Sequence, residues 1–150
     1  MVDEGGRVWH RYRDGQRSIT GMAGDYAFLI MGVIELYRTT LRTDLLEWAL
    51  ELQAGMDADF WDADRGGYYL TAAAESELPV RPMEIYDGAL PSTNSVALSN
   101  LLLLAQLTGN PHWKEQALRL TRAFAAPVAR QPTAFTHFLT GLDMALQPGR

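Results

Sequence analysis

The chain has 150 residues, is 47% hydrophobic and 21% charged, and carries a formal net charge of −5. That is the size and composition of one ordinary globular domain with enough apolar surface for a core. A mildly acidic balance argues against a nucleic-acid binder, which needs clustered lysine and arginine to displace counterions. With no cysteine, a disulfide framework, a thiolate metal site, a cysteine nucleophile and a CxxC redox pair are excluded within this chain.

The first residues, Met1-Val2-Asp3-Glu4-Gly5-Gly6, lack a positive stretch followed by an apolar run, so no secretory signal is expected. The longest apolar runs, such as Ala27 to Ile34, are far short of the ~20 residues of a membrane span. The expectation is a cytoplasmic protein that engages neither membrane nor nucleic acid. Residues 1–24 are polar and punctuated by Gly15, Gly21 and Gly24, and read as an irregular entry segment. The arginines at 7, 11, 13 and 17 within it read as a solvated surface.

The first helix is predicted from Asp25 to Thr39. Tyr26, Leu29, Ile30, Val33, Ile34 and Tyr37 follow helical spacing, and Ala27, Phe28, Met31 and Gly32 make the other side nearly apolar, as in a helix surrounded by protein. The second is predicted from Asp44 to Met56, with Asp44 and Glu47 spaced as a capping box and Leu45, Trp48, Ala49, Leu52 and Met56 as its stripe. The short connection between them favours an antiparallel hairpin.

A long non-helical stretch follows, residues 57–90, with a turn and one short β segment near residues 66–71. Its aspartates at 57, 59, 62 and 64 miss the calcium-loop spacing from either start and read as turn formers. The third helix starts near Pro91-Ser92 and runs to Thr108, where Gly109 stops it. Asn110-Pro111 caps and opens a fourth, whose stripe is Trp113, Ala117, Leu120, Phe124 and Val128, with Pro127 expected to end or kink it. A last helix is predicted over 133–146. The fold class is therefore all-α, in antiparallel helical hairpins, within a single domain spanning 1–150.

The three histidines, His10, His112 and His137, have no ligand spacing, and neither a metal site nor a cofactor is expected. The segment from Arg81 to Ser95 is the richest in chemistry. It places an arginine, two carboxylates, a tyrosine, hydroxyls and an amide at the entry to the most apolar helix. Such a mixture suits a sugar, because carboxylates and amides pair with vicinal hydroxyls and an aromatic ring covers the C–H face. The same residues equally suit a helix cap, with Arg81 and Asp87 pairing to brace the loop.

Several segments together carry a family resemblance. They are Arg11-Tyr12-Arg13-Asp14-Gly15, Gly24-Asp25-Tyr26-Ala27-Phe28-Leu29-Ile30, Glu35-Leu36-Tyr37, Phe60-Trp61-Asp62, Gly66-Gly67-Tyr68-Tyr69-Leu70-Thr71, Asp87-Gly88-Ala89-Leu90-Pro91-Ser92-Thr93-Asn94-Ser95 and Leu107-Thr108-Gly109. In this order they resemble the YyaL-type proteins, which include the spermatogenesis-associated thioredoxin-like proteins. The family pattern commonly has glycine where this chain has Thr93.

The resemblance implies part of a six-hairpin (α/α) toroid similar to N-acylglucosamine 2-epimerases, without the family's thioredoxin-like domain. It implies carbohydrate binding or processing, incomplete as an enzyme in this stretch, with Asp25, Tyr26, Tyr68, Arg81, Asp87 and Asn94 as substrate-binding candidates. The histidines of the related epimerases do not map onto this chain. With about two and a half hairpins, the chain is expected to be a fragment or a shortened version. Its open apolar edges would meet the remainder of the toroid or a second copy. The competing expectation is a non-catalytic helical scaffold or interaction module.

Overall fold

The structure is a computed structural model that describes residues 1–75 and 80–146. Residues 76–79, part of the expected long loop, lie outside the described residues. The described residues are mainly helical with one two-stranded antiparallel sheet. They pack as two compact units, the first of residues 1–61, 69–75 and 80–82, the second of residues 62–68 and 83–146.

The first unit opens on a β-hairpin, β1 (Trp9–Arg13) and β2 (Gln16–Thr20). Asp14 and Gly15 connect the strands with φ of 52° and 77°, the left-handed pair required by a tight hairpin turn. The hairpin replaces the irregular entry expected for residues 1–24. Nearly every side chain of both strands is exposed, so the sequence shows none of the apolar alternation that betrays a half-buried strand.

Other contacts hold the hairpin in place. Trp9 and Met1 exchange backbone hydrogen bonds, Gly21 N–H donates to Val8 C=O, and the Val8 N–H donates to the buried Tyr26 hydroxyl at 3.1 Å. Asp3 accepts the backbone N–H groups of Gly5 and Arg7 and the Trp9 indole N–H at 2.8 Å. The Trp9 hydrogen bond, then that from Arg7, holds the Asp3 carboxyl below the usual aspartate range.

Helices α1 (Ala23–Thr40) and α2 (Thr43–Phe60) form the expected hairpin. Tyr26, Ala27, Ile30, Val33 and Ile34 of α1 and Ala49, Leu52, Met56 and Phe60 of α2 make the core of this unit. Phe28, Leu29 and Met31 remain half-buried and Leu36 is exposed, so α1 is not enclosed all round as its composition suggested. The Asp44–Glu47 capping box does not form. Arg42 is the N-cap, and its guanidinium binds Asp44, which lowers the Asp44 carboxyl and raises Arg42. Helix α2 also runs a full turn beyond Met56, because Phe60 is buried against the Tyr26 ring at 5.5 Å.

The second unit contains α3 (Thr93–Thr108), α4 (Pro111–Arg130) and α5 (Thr136–Leu146). Helix α3 packs against both α4 and α5 and buries residues on every side, among them Val96, Leu98, Leu101 and Leu104. Each such side chain contributes roughly 1.5–3 kcal/mol by leaving water. Gly109, at φ 68°, ends α3, and the Asn110 side chain accepts the His112 N–H at 3.0 Å to start α4, as the sequence signals indicate. Pro127 neither ends nor breaks α4, which continues to Arg130. A single turn over Pro132–Ala134 precedes α5, so that helix begins three residues later than expected.

Candidate functional site

The expected β segment at 66–71 shortens to a single bridge residue, Tyr68. Gly66 and Gly67 adopt φ of 79° and 98°, which turns the chain so that Tyr68 enters the core of the second unit with no exposed surface. A Cβ on Gly67 would stand 2.9 Å from the Phe124 ring, and one on Gly66 would stand 2.9 Å from the Arg119 carbonyl oxygen. Only glycine meets both the backbone conformation and the space.

Asn94, in the first turn of α3 and fully buried, holds this turn by its backbone. Its Oδ1 accepts the Tyr68 N–H at 2.7 Å, and its Nδ2 donates to the Tyr68 carbonyl at 3.0 Å and the Glu84 carbonyl at 2.8 Å. The amide thus does the work of a neighbouring strand, satisfying both peptide groups that a missing ladder would leave unpaired. At the far end of the ring, Gln116 Nε2 of α4 donates to the Tyr68 hydroxyl at 3.0 Å.

Asp87 joins two helix starts. Its Oδ1 accepts the backbone N–H of Ser92, the N-cap of α3, at 2.8 Å. Its Oδ2 accepts the N–H groups of His137 and Phe138 in the first turn of α5, at 2.8 and 3.1 Å. A carboxylate among unpaired helix N–H groups is stabilised by hydrogen bonding and by the positive end of each helix dipole. Ser92 completes the start of α3 by accepting the Ser95 N–H. Beside Asp87 lies a depression of about 330 Å³ lined by Gly88, Ala89, Pro91, Thr136, His137 and Thr140. The His137 Nε2 is buried and has no hydrogen-bond partner among the described residues.

The remaining candidates belong to the first unit. Asp25, in the first turn of α1, accepts the Met22 N–H at 2.8 Å and meets His10 Nδ1 at 2.9 Å. Tyr26 is buried beneath the hairpin. Arg81 donates to the carbonyls of Thr71 and Asp59, each at 3.0 Å, and its guanidinium lies 4.1 Å from the Tyr69 ring centroid. Among the described residues its hydrogen bonds go to carbonyl oxygens and not to the carboxylate expected as its brace.

The six residues thus form two groups. Tyr68, Asp87 and Asn94 organise the second unit, and Asp25, Tyr26 and Arg81 the first. Five of the six side chains bind a backbone group, and the sixth, Tyr68, accepts from the Gln116 side chain. Sequence reasoning missed His10, which reaches Asp25 across 15 residues, and Gln116, which reaches Tyr68 across 48. No local spacing encodes either pair.

No family model matches the sequence. Over 128 residues, 85% of this chain, the sequence is 39% identical to a rat protein and 38% identical to a human one, both bearing one name. The chain is similar to spermatogenesis-associated protein 20. This supports the family relation read from the sequence motifs. The matched stretch is 16% of each mammalian spermatogenesis-associated protein 20, so the chain spans about one sixth of the length of the curated relatives it matches. An uncharacterized Caenorhabditis elegans protein is 31% identical over the same length. Among the described residues, no helix is long and apolar enough to cross a membrane, and no group of three or more histidine, aspartate or glutamate side chains could hold a metal ion.

Proposed function

We propose that this chain is a non-catalytic helical scaffold segment that packs, through the second unit, against an amphipathic helix from the rest of a longer protein. The observation that carries this reading is an apolar groove of about 840 Å³ along α3, α4 and α5. Leu102 of α3, Ala117 and Leu118 of α4, and Leu142 and Leu146 of α5 line it. Leu146 is 81% exposed and Leu118 47%. Apolar side chains gathered in one exposed concavity mark an association surface, and a helix laid in a groove is the common way to cover one.

The length of the mammalian relatives, about six times the matched stretch, supports an occupant from the same polypeptide. The two helical hairpins, α1 with α2 and α3 with α4, support the further reading that the whole is an (α/α) toroid. The backbone-binding roles of Asn94, Asp87 and Arg81 also favour a scaffold over a catalytic site.

Sedimentation of the chain and of a Leu118→Glu/Leu146→Glu variant tests this. The wild type is expected to associate with rising concentration and to bind an apolar dye, and the variant to do neither. A wild-type chain that stays monomeric and leaves the dye unbound would sink the proposal, and a defined two-fold dimer would replace the helix with a second copy.

One observation favours a second reading, carbohydrate binding. The depression beside Asp87 offers the Thr136 and Thr140 side chains to a small polyol. Calorimetry against a panel of monosaccharides decides it. A saturable heat that Asp87→Asn abolishes supports a sugar site, and no heat with any sugar removes it.

A further inference from the structure

The β-hairpin carries a patch of charge opposite in sign to the chain as a whole. Arg11 and Arg13 are two residues apart on β1, which places them on one face of the strand, their Cα atoms roughly 7 Å apart. The cross-strand partners of Arg11 and Arg13 are Ser18 and Gln16, so a hydroxyl and an amide share that face. These four residues and Asp14 line a depression of about 320 Å³.

Arg11 has no carboxylate partner among the described residues. Arg13 meets Asp14 only loosely, at 3.4 Å with both side chains mostly exposed. Arg17, on the other face, turns to Asp3 at 3.6 Å. The platform beneath is fixed by the contacts of Trp9 with Met1, of Val8 with Tyr26 and of His10 with Asp25. Two arginines thus line one depression on a fixed strand, in a chain whose net charge is −5.

We propose that this face of the hairpin binds a small hydroxyl-bearing phosphate monoester. Two arginine side chains are long enough to converge on one phosphoryl group from this spacing, and each matches its oxygens with a planar pair of donors. Gln16 and Ser18 hydrogen-bond the remaining polar groups of the ligand. Asp14 repels a second anion at the rim and accepts hydroxyl protons instead, which favours a single phosphate with hydroxyls over a polyanionic strand or an acidic peptide. The depression has the size of a small-ligand site, and two arginines fall short of the several phosphate contacts that hold a nucleic acid. The inference is independent of the helical groove.

Nitrogen–proton correlation spectra of the whole chain, titrated with glycerol 3-phosphate, inorganic phosphate, glycerol and an aspartate-rich peptide, test it. Glycerol 3-phosphate is expected to shift the Arg11, Arg13, Gln16 and Ser18 resonances saturably, more tightly than inorganic phosphate, while glycerol does nothing. Arg11→Gln/Arg13→Gln should weaken binding by roughly tenfold or more, and Arg11→Lys by less, because lysine keeps the charge and loses the fork. Unchanged α1 and α2 resonances in the variants establish that the fold is intact. Rising salt should weaken the binding of a ligand held at so exposed a site. Absence of saturable shifts, shifts that persist in the double variant, equal binding of glycerol, or tighter binding of the peptide would each overturn the proposal.

Discussion

Replacing Asn94 by alanine removes the amide that holds the Gly66-Gly67-Tyr68 turn on α3. Three hydrogen bonds disappear, at 2.7, 3.0 and 2.8 Å. The Glu84 carbonyl lies on a residue open to water and finds a new partner there. The Tyr68 N–H and carbonyl belong to a residue with no exposed surface, and each buried orphan of this kind costs about 1–3 kcal/mol. Two such orphans together cost about 2–6 kcal/mol, and the middle of that range, about 3–4 kcal/mol, is the expected loss of stability. For a chain of this length that lowers the melting temperature by roughly 6–16 °C. Urea titration measures the total. Hydrogen exchange at the Tyr68 amide locates it, with protection falling more than about 100-fold, since 1.4 kcal/mol is tenfold. A loss under about 0.5 kcal/mol, with the Tyr68 amide still protected, would refute the view that the side chain serves as a surrogate strand.

Gly67→Ala forces a side chain onto a backbone at φ 98° and into the Phe124 ring, and is expected to cost at least about 1–3 kcal/mol in a thermal melt. Asp87→Asn removes the charge shared by the starts of α3 and α5 and should cost about 1–2 kcal/mol, with exchange of the His137 and Phe138 amides rising before that of the α3 interior. Asp3 supplies the pH dependence. Its carboxyl is lowered in the folded chain, so its stabilising contribution is present above the ordinary aspartate value of about 3.9 and is lost as pH falls through the lower folded value. The Trp9 indole N–H resonance should move in that acid window in the wild type and not in Asp3→Asn.

The helices were legible because their signals are local. Asn110 and Pro111 start α4 where the cap-then-proline pattern puts it, and Gly109 ends α3 in the left-handed conformation that glycine favours. The end of α2 was hidden, because Asp57 and Asp59 look like turn formers while the burial of Phe60 against Tyr26 holds the helix for another turn. The hairpin at 9–20 left one trace, Asp14-Gly15 between strands of equal length, and exposure of both faces erased the rest. The importance of Asp87 and Asn94 was legible from the crowding of polar groups before an apolar helix. Their partners were not, since Tyr68 and His137 lie 26 and 50 residues away and only the packed second unit brings them near.

The reach of Asp87 also orders events during synthesis. Ser92 follows it by five residues, but His137 and Phe138 emerge only after the whole of α3 and α4. Until then the carboxylate has one of its three partners, and the α3 face destined for α5 is open to water. Closing a contact of this span costs chain entropy that local helix formation does not. During synthesis the second unit therefore cannot close until α5 has emerged, about fifty residues after Asp87, and the α3 face that α5 covers stays uncovered until then.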